Sequence, residues 1–136
     1  GGSATDFIYG FAGNDVITGG AGGDILMGGD GSDTFVYDSP TLSGFDAIFD
    51  FASGSDHLQF TAANFGLSAG ATLTTGTSFV SGANPVVGSS VAPTFLYNTS
   101  NGVVSFDMDG SGAAAAVSFI QLAGVQVLTT SDFLFV

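Results

Sequence analysis

The stretch "GGSATDFIYGFAGNDVITGGAGGDILMGGDGSDTFV", residues 1–36, repeats one nine-residue pattern without a gap. The units span 1–9, 10–18, 19–27 and 28–36, and each begins with glycine. The sixth position is always aspartate, namely Asp6, Asp15, Asp24 and Asp33. The eighth position is always large and apolar, namely Ile8, Ile17, Leu26 and Phe35. Such a fixed period predicts a solenoid in which each repeat is one structural unit.

Each unit combines a glycine-rich part with a short apolar part. Six glycine-rich residues can form a tight turn, because glycine readily adopts positive φ. The last three residues can form a short strand whose one large side chain points inward. Stacked units would therefore bury the eighth-position side chains in a narrow core and align the aspartates in columns outside it.

The charge of the chain is strongly one-sided. Twelve aspartates and no lysine, arginine or glutamate give a net charge of −12. Nine of the aspartates lie at or before residue 56: Asp6, Asp15, Asp24, Asp30, Asp33, Asp38, Asp46, Asp50 and Asp56. A fold with this charge repels itself unless a cation that is not a side chain enters the structure. Nucleic acid is excluded as a partner, since phosphate binding needs lysine and arginine.

Membrane insertion and disulfide bonding are also excluded by the sequence. No window approaches the roughly 18 apolar residues of a membrane span. The chain has no cysteine, so an extracellular form needs a stabilising element other than disulfide bonds. A bound metal ion is the natural candidate. The start "GGSATD" lacks an initiator methionine, and we expect the repeats to continue upstream in a longer protein.

The donor atoms of the repeats favour calcium among the common metals. Calcium is a hard cation that takes six to eight oxygens from carboxylates and backbone carbonyls. Aspartate supplies the carboxylates, and glycine turns expose the carbonyls. The repeats contain no nitrogen or sulfur side chain that would favour zinc, and magnesium gives up its waters reluctantly.

Beyond residue 36 the sequence predicts further β-structure. Strand-like runs lie at 47–51 and 57–60, and "TFLYNTSNGVVSFD" at 94–107 predicts a hairpin. "AAAAVSFIQLAG" and "SDFLFV" predict two more strands, whereas 61–93 shows no clear pattern. No helical period is sustained anywhere. We predict an all-β fold with a parallel β-roll at 1–36 that continues into a β-sandwich-like C-terminal cap at 37–136.

The four in-register nonapeptides resemble the RTX (repeats-in-toxin) family of secreted bacterial proteins. The resemblance implies a parallel β-roll in which each calcium ion lies between turns that are next-but-one in sequence. Asp6 and Asp24 would share one ion and Asp15 and Asp33 another, which gives at least two ions. The implied carbonyl ligands belong to Gly10, Gly13, Gly19, Gly22, Gly28 and Gly31. Phe11 at a second position and Ala4 at a fourth position depart from the family pattern.

The segment after the roll also resembles RTX proteins, in which a D-x-I-x-D-F…G-x-D-x-L stretch closes the last sites. Its members here include Asp46, Asp50 and Asp56. The resemblance implies that these three aspartates are further calcium ligands. The alternative for them is a solvated strand edge or a set of turn caps.

The C-terminal "TTSDFLFV" is similar to the ends of RTX proteins that leave the cell by type I secretion. The resemblance implies the type I secretion machinery as a partner and an uncleaved C-terminal signal. The alternative is a last β-strand of the cap, and the two interpretations are compatible.

The functional prediction is a non-enzymatic, calcium-binding C-terminal module of an exported bacterial protein. It would fold on extracellular calcium and serve a structural, surface-layer, adhesive or fibre-forming role outside the cell or on its surface. Copies of itself or other surface-layer or matrix components are the further expected partners. The alternative is the secretion and folding module of an exported protease or lipase with its catalytic domain upstream. The chain itself offers no catalytic residues, since it has one histidine and no nucleophile elbow.

Overall fold

The computed structural model describes residues 1–40, 44–89, 92–124 and 127–136, and these residues form an all-β fold. The all-β prediction is confirmed. Within those ranges there is no α-helix, and the helical segments are two 3₁₀ turns at Ala62–Phe65 and Thr130–Asp132. Neither of them is long and apolar enough to cross a membrane.

The strands of the described residues are short. In chain order they are β1 (Phe7–Tyr9), β2 (Val16–Ile17), β3 (Ile25–Met27), β4 (Thr34–Tyr37), β5 (Asp46–Ile48), β6 (His57–Phe60), β7 (Phe79–Gly82), β8 (Thr94–Asn98), β9 (Val103–Asp107), β10 (Val117–Leu122) and β11 (Phe133–Phe135). The larger sheet has the order β1-β3-β5-β10-β9-β8-β7, and the smaller sheet has the order β11-β6-β4-β2.

Successive repeats alternate between the two sheets, as the β-roll prediction requires. β1, β3 and β5 pair in parallel in the larger sheet, and β2, β4 and β6 pair in parallel in the smaller one. The eighth-position side chains stack in register and point into the core. Ile17, Leu26 and Phe35 are buried, whereas Ile8 at the open end of the roll is half-buried.

Both sheets continue past residue 36 without a break. β10 pairs in parallel with β5, and β11 pairs in parallel with β6. The predicted hairpin is confirmed, because β8 and β9 are antiparallel and Gly102 adopts a φ of 74° in their connection. β7, in the segment without a clear pattern, pairs in parallel with β8. The division at residues 36 and 37 stays a prediction.

One predicted strand has the wrong bounds. The run at 47–51 forms a strand only as β5, which begins at Asp46 and ends at Ile48. It ends early because the Asp50 side chain accepts hydrogen bonds from Gly28 and Gly29 in a neighbouring turn. The chain therefore leaves the sheet at Phe49.

A cluster of aromatic rings joins the roll to the cap. Phe60 at the end of β6 is fully buried, and its ring lies 5.9 Å from Tyr37 and 5.8 Å from Phe133, measured between centroids. The buried apolar residues form one cluster that extends from Ile17 in the roll to Phe135 in the last strand. The roll and the cap therefore share one core.

Candidate metal sites

The aspartate-bearing turns stack in two columns, one leading into the strands of each sheet. The Asp6 column consists of Asp6 and Asp24, which precede β1 and β3, and of Asp46, the first residue of β5. The Asp15 column consists of Asp15, Asp33 and Asp56, which precede β2, β4 and β6. Parallel pairing of the strands places each aspartate beside the next member of its own column.

Within each column, every aspartate after the first accepts a hydrogen bond from a backbone N–H group of the preceding turn. The amide of Asp6 donates to Asp24 Oδ1 at 2.8 Å, and the amide of Asp24 donates to Asp46 Oδ1 at 2.8 Å. In the Asp15 column the corresponding distances are 2.9 Å from Asp15 to Asp33 and 2.9 Å from Asp33 to Asp56. The predicted pairs Asp6–Asp24 and Asp15–Asp33 are therefore brought together by the fold.

The second carboxylate oxygen of three of these aspartates is buried and unsatisfied. Oδ2 of Asp15, Asp24 and Asp33 has no hydrogen-bond partner among the described residues. Burying an ionised carboxylate without a partner is costly, and the chain has no lysine or arginine to supply one. An added cation would remove this cost, so these oxygens fit a metal site.

Backbone carbonyls converge on the same oxygens. A Cβ atom at Gly10 would lie 2.6 Å from Asp15 Oδ2 and 2.6 Å from the carbonyl oxygen of Gly28. At Gly1, a Cβ would likewise contact both Asp6 Oδ2 and the carbonyl oxygen of Gly19. Gly1 and Gly10 thus leave open a space between a carboxylate and a carbonyl, the donors that calcium prefers, whereas a Cβ at Gly19 or Gly28 would meet the carboxylate of Asp24 or Asp33.

Glycines at other positions let neighbouring turns of a column stack closely. Gly20 and Gly22 adopt φ of 99° and 125°. Their Cβ atoms would lie 2.6 Å from the carbonyl oxygen of Gly2 and 2.7 Å from that of Ala4. Ala4, which replaces glycine at the fourth repeat position, therefore still has its carbonyl in the place that the repeat pattern requires.

The other predicted glycine carbonyls have fewer observed neighbours. A Cβ at Gly31 would contact the carbonyl of Gly13, and one at Gly44 would contact that of Gly22. These two carbonyls thus lie in the stacked turns of their columns. Calcium ligation stays a prediction for all six glycines, namely Gly10, Gly13, Gly19, Gly22, Gly28 and Gly31.

Asp46 and Asp56 belong to two degenerate repeats that extend the columns. Gly44, Asp46 and Ile48 have the spacing of the fourth, sixth and eighth positions of the repeat, and Gly54, Asp56 and Leu58 have it again. Ile48 and Leu58 are fully buried beside Leu26 and Phe35. The recurring G-x-D-x-U spacing is the sequence signal for these two additional turns.

Asp50 and Asp56 already have both carboxylate oxygens engaged by backbone N–H groups. Asp50 accepts from Gly28 and Gly29 at 2.9 Å each. Asp56 accepts from Asp33 and, through Oδ2, from Ala52 at 2.8 Å. The turn-cap alternative therefore describes the observed contacts of both residues, and their ligation of calcium stays a prediction.

Asp46 lies beside a cleft at the end of the Asp6 column. The cleft has a volume of about 260 Å³ and is lined by Tyr37, Asp38 and the turn residues Gly20 and Ala21. Burial and the neighbouring Asp24 raise the pKa of Asp46 from 3.8 to about 6, although the hydrogen bond from the Asp24 amide opposes the shift. Burial and the Asp46 carboxylate raise the pKa of Tyr37 well above its ordinary value.

Asp132, near the C-terminus, was not predicted as part of the turn system. Its Oδ1 accepts from the Gly54 amide at 2.9 Å, and its Oδ2 accepts from Ser53 Oγ at 2.7 Å and from the Thr129 amide at 2.7 Å. It therefore ties the C-terminal 3₁₀ turn to the last turn of the Asp15 column. The T-x-x-D spacing of a capping box at Thr129–Asp132 was the available sequence signal.

The described residues contain no group of three or more histidine, cysteine, aspartate or glutamate side chains that could hold a metal by themselves. Any cation site built from this part of the chain therefore needs backbone carbonyls besides its carboxylates. Such a donor set suits a hard cation with many oxygen ligands.

Comparison with known proteins identifies the repeats. Residues 1–35 match the family model of the RTX calcium-binding nonapeptide repeat, in four copies. No curated protein matches the chain. The first quarter of the chain thus consists of RTX repeats, which supports a calcium-binding module of an exported bacterial protein and an extracellular location.

Proposed function

We propose that the chain is a calcium-dependent folding module with four ion sites, two in each aspartate column. The observation that carries the proposal is the set of buried, unsatisfied Oδ2 atoms of Asp15, Asp24 and Asp33. Each site would combine the Oδ2 atom of one aspartate with carbonyls of the next turn in its column. Asp15, Asp24 and Asp33 would hold one ion each, and Asp6 would hold a fourth once its Oδ2 exchanges the hydrogen bond from the Gly2 amide, at 2.6 Å, for the metal.

The last aspartates of the columns would support the sites from outside. Asp46 and Asp56 fix the amides of Asp24 and Asp33, and Asp50 fixes the amides of Gly28 and Gly29. In this arrangement they orient the final turns through hydrogen bonds. Direct ligation by Asp46, whose carboxylate borders the cleft, is compatible with this role.

Calcium binding would be coupled to folding. Without the metal, the −12 charge and the glycine-rich turns oppose a compact state. Calcium at extracellular concentration would neutralise the columns, so that its binding free energy becomes folding free energy. Low calcium inside the cell would keep the chain unfolded, which suits passage through the type I secretion machinery.

The biological setting that fits these properties is the C-terminal part of an exported structural protein. A rigid, cysteine-free β-roll stabilised by calcium suits a surface-layer, adhesive or fibre-forming protein outside the cell. The β1 and β2 edges of the two sheets would accept further repeats of the same kind.

A calcium titration followed by circular dichroism tests the proposal. We expect β-structure to appear on adding calcium to chelated protein and to disappear again on chelation. The paired variant Asp15→Ala with Asp33→Ala should shift the midpoint to higher calcium, whereas Asp30→Ala, at an exposed position, should leave it in place. A β signal that is unchanged by chelation would refute the proposal.

A further inference from the structure

The outer face of β1, β3 and β5 is unusually apolar for a surface exposed to water. Phe7, Tyr9 and Met27 lie on these strands, Phe45 and Phe49 flank β5, and Phe11 follows β1 in the next turn. We call these six residues the aromatic face. Its five aromatic rings are each 45% to 71% exposed. Since a whole aromatic side chain has about 200 Å² of surface, the exposed parts together present roughly 550 Å² of apolar surface. This is about the size of the largest apolar patch on a typical soluble monomer, and such patches are often functional.

The roll itself does not require these side chains. Outward positions of the repeats have no role in the core, and the smaller sheet carries Val16, Thr34, Val36, His57, Gln59 and Leu134 on its outer face, without a phenylalanine or tyrosine. A parallel sheet that is buried on one side and apolar on the other is normally covered on both faces. The difference between the two sheets thus points to a function of the aromatic face.

Phe11 provides a second, independent observation. It occupies the second position of its repeat, where the other three units have glycine, and it adopts a φ of 80°. A bulky residue at positive φ is strained, yet its ring is exposed to water and lies 4.4 Å from that of Tyr9. The strain brings no burial within the chain, which indicates that the ring has a partner elsewhere.

We propose that the aromatic face pairs with the same face of a second copy of the chain, once calcium is bound. The inference rests on the proposed calcium sites. Each partner of a standard interface buries about 800 Å², which the aromatic rings together with Ile25, Met27 and the rim can supply. Four calcium ions would reduce the charge of each copy from −12 to −4, so repulsion between copies would fall when the metal binds.

Two exposed aspartates outside the columns predict how salt affects this pairing. Asp30 donates its amide to the Phe11 carbonyl at 2.8 Å, and Asp50 caps the adjacent Gly29. Asp30 is thus bonded to Phe11 and Asp50 follows Phe49 in the sequence, so two charges that the four proposed ions do not occupy lie beside the aromatic face. Added salt should therefore strengthen pairing by screening the repulsion between copies.

Sedimentation in saturating calcium tests the proposal. A protein concentration of about 200 µM is well above the micromolar Kd of a weak standard interface. We expect a dimer whose Kd rises about tenfold or more in Phe7→Ser with Phe49→Ser. Phe11→Gly should also weaken pairing, while relief of strain keeps the protein folded. The matched control is Val16→Ser, which changes an equally exposed seventh-position residue (74%) on the other sheet.

A single cysteine gives a direct readout, because the chain has none. Met27→Cys, in the middle of the face, should form a disulfide-linked dimer on oxidation in calcium. Val36→Cys, at the same repeat position on the smaller sheet, should not. Protein that folds with calcium but stays monomeric, or pairs equally well in the face variants, overturns the inference and leaves a different protein as the occupant. Protein that does not respond to calcium by circular dichroism refutes the proposed function instead.

Discussion

At the scale of single residues, the buried aspartates divide by how their second oxygen is satisfied. Asp132 is surrounded by donors from Ser53, Gly54 and Thr129, so its charge is stabilised by the protein alone. Asp24 and Asp33 each leave Oδ2 buried without a partner in the described part of the chain. Burial of the same residue type therefore indicates a structural cap in one case and a cation ligand in the other.

The first glycine of a turn can be tested by adding one methyl group. In Gly28→Ala, the new Cβ would collide with Asp33 Oδ2 and with its Cγ 2.6 Å away. We expect the calcium concentration at the folding midpoint to rise about tenfold, equivalent to about 1.4 kcal/mol of binding. Gly2→Ala is the control, because a Cβ there meets nothing within 4 Å. Equal midpoints for the two variants would show that the space beside Asp33 is not a metal site.

The raised pKa of Asp46 predicts that the apparent calcium affinity depends on pH. Its pKa of about 6 in the fold is above its ordinary 3.8, so the calcium-free fold binds a proton that the unfolded chain has released. Protonation of Asp46 therefore stabilises the calcium-free fold below about pH 4. This stabilisation is lost as the pH rises to about 6. Calcium favours the ionised form, so apparent calcium affinity should fall as pH drops below 6. Calcium titrations at several pH values should show this step in the wild type but not in Asp46→Asn.

At the scale of elements, the C-terminal strand closes the roll. β11 adds to β6 in parallel, and the preceding 3₁₀ turn places Asp132 against Ser53 and Gly54. These two residues belong to the turn that leads to Asp56 and β6. The segment that resembles a secretion signal is thus also the element that holds the last turn of the Asp15 column in place.

Removing the Asp132 side chain should weaken that turn. Asp132→Ala leaves the Gly54 and Thr129 amides without their acceptor, and loss of such a cap costs about 1–2 kcal/mol. We expect lower thermal stability in saturating calcium and a higher calcium midpoint. Asp30→Ala removes the same charge from an exposed site and serves as the control. If both variants melt alike, Asp132 does not support the last turn.

The repeats made the roll predictable, because period, turn chemistry and core position all agree at 1–36. The hairpin β8–β9 was equally clear, since a glycine-containing turn separates two β-rich runs. β7 was missed because its four residues carry little pattern and pair in parallel with a strand that begins 12 residues later. The caps formed by Asp50 and Asp132 depend on contacts across the fold, which spacing along the chain does not encode.

At the scale of the whole molecule, the roll and the cap share both their sheets and their core. β5 lies between β3 of the roll and β10 of the cap. The roll and the cap therefore satisfy each other's backbone hydrogen bonds. The shared aromatic cluster adds burial that a four-repeat roll would lack. We therefore expect the ions in the columns to stabilise the whole cap, although only its first two turns, before Asp46 and Asp56, border the proposed sites.

A large-to-small change at Phe60 tests this coupling. The Phe60 ring contacts Phe119 and Phe133 of the cap, and its removal from a packed core should cost about 3–5 kcal/mol. If one cooperative unit exists, hydrogen exchange in Phe60→Ala should accelerate equally in β3 of the roll and in β8–β9 of the cap. The calcium midpoint should rise as well, because unfolding of the cap exposes the last turns.

The control is Val86→Ala, at a position that is 75% exposed, which should change neither the exchange rates nor the calcium midpoint. Faster exchange confined to the cap would instead support two independent units that divide near residue 36, because only then could the roll keep its calcium while the cap opens.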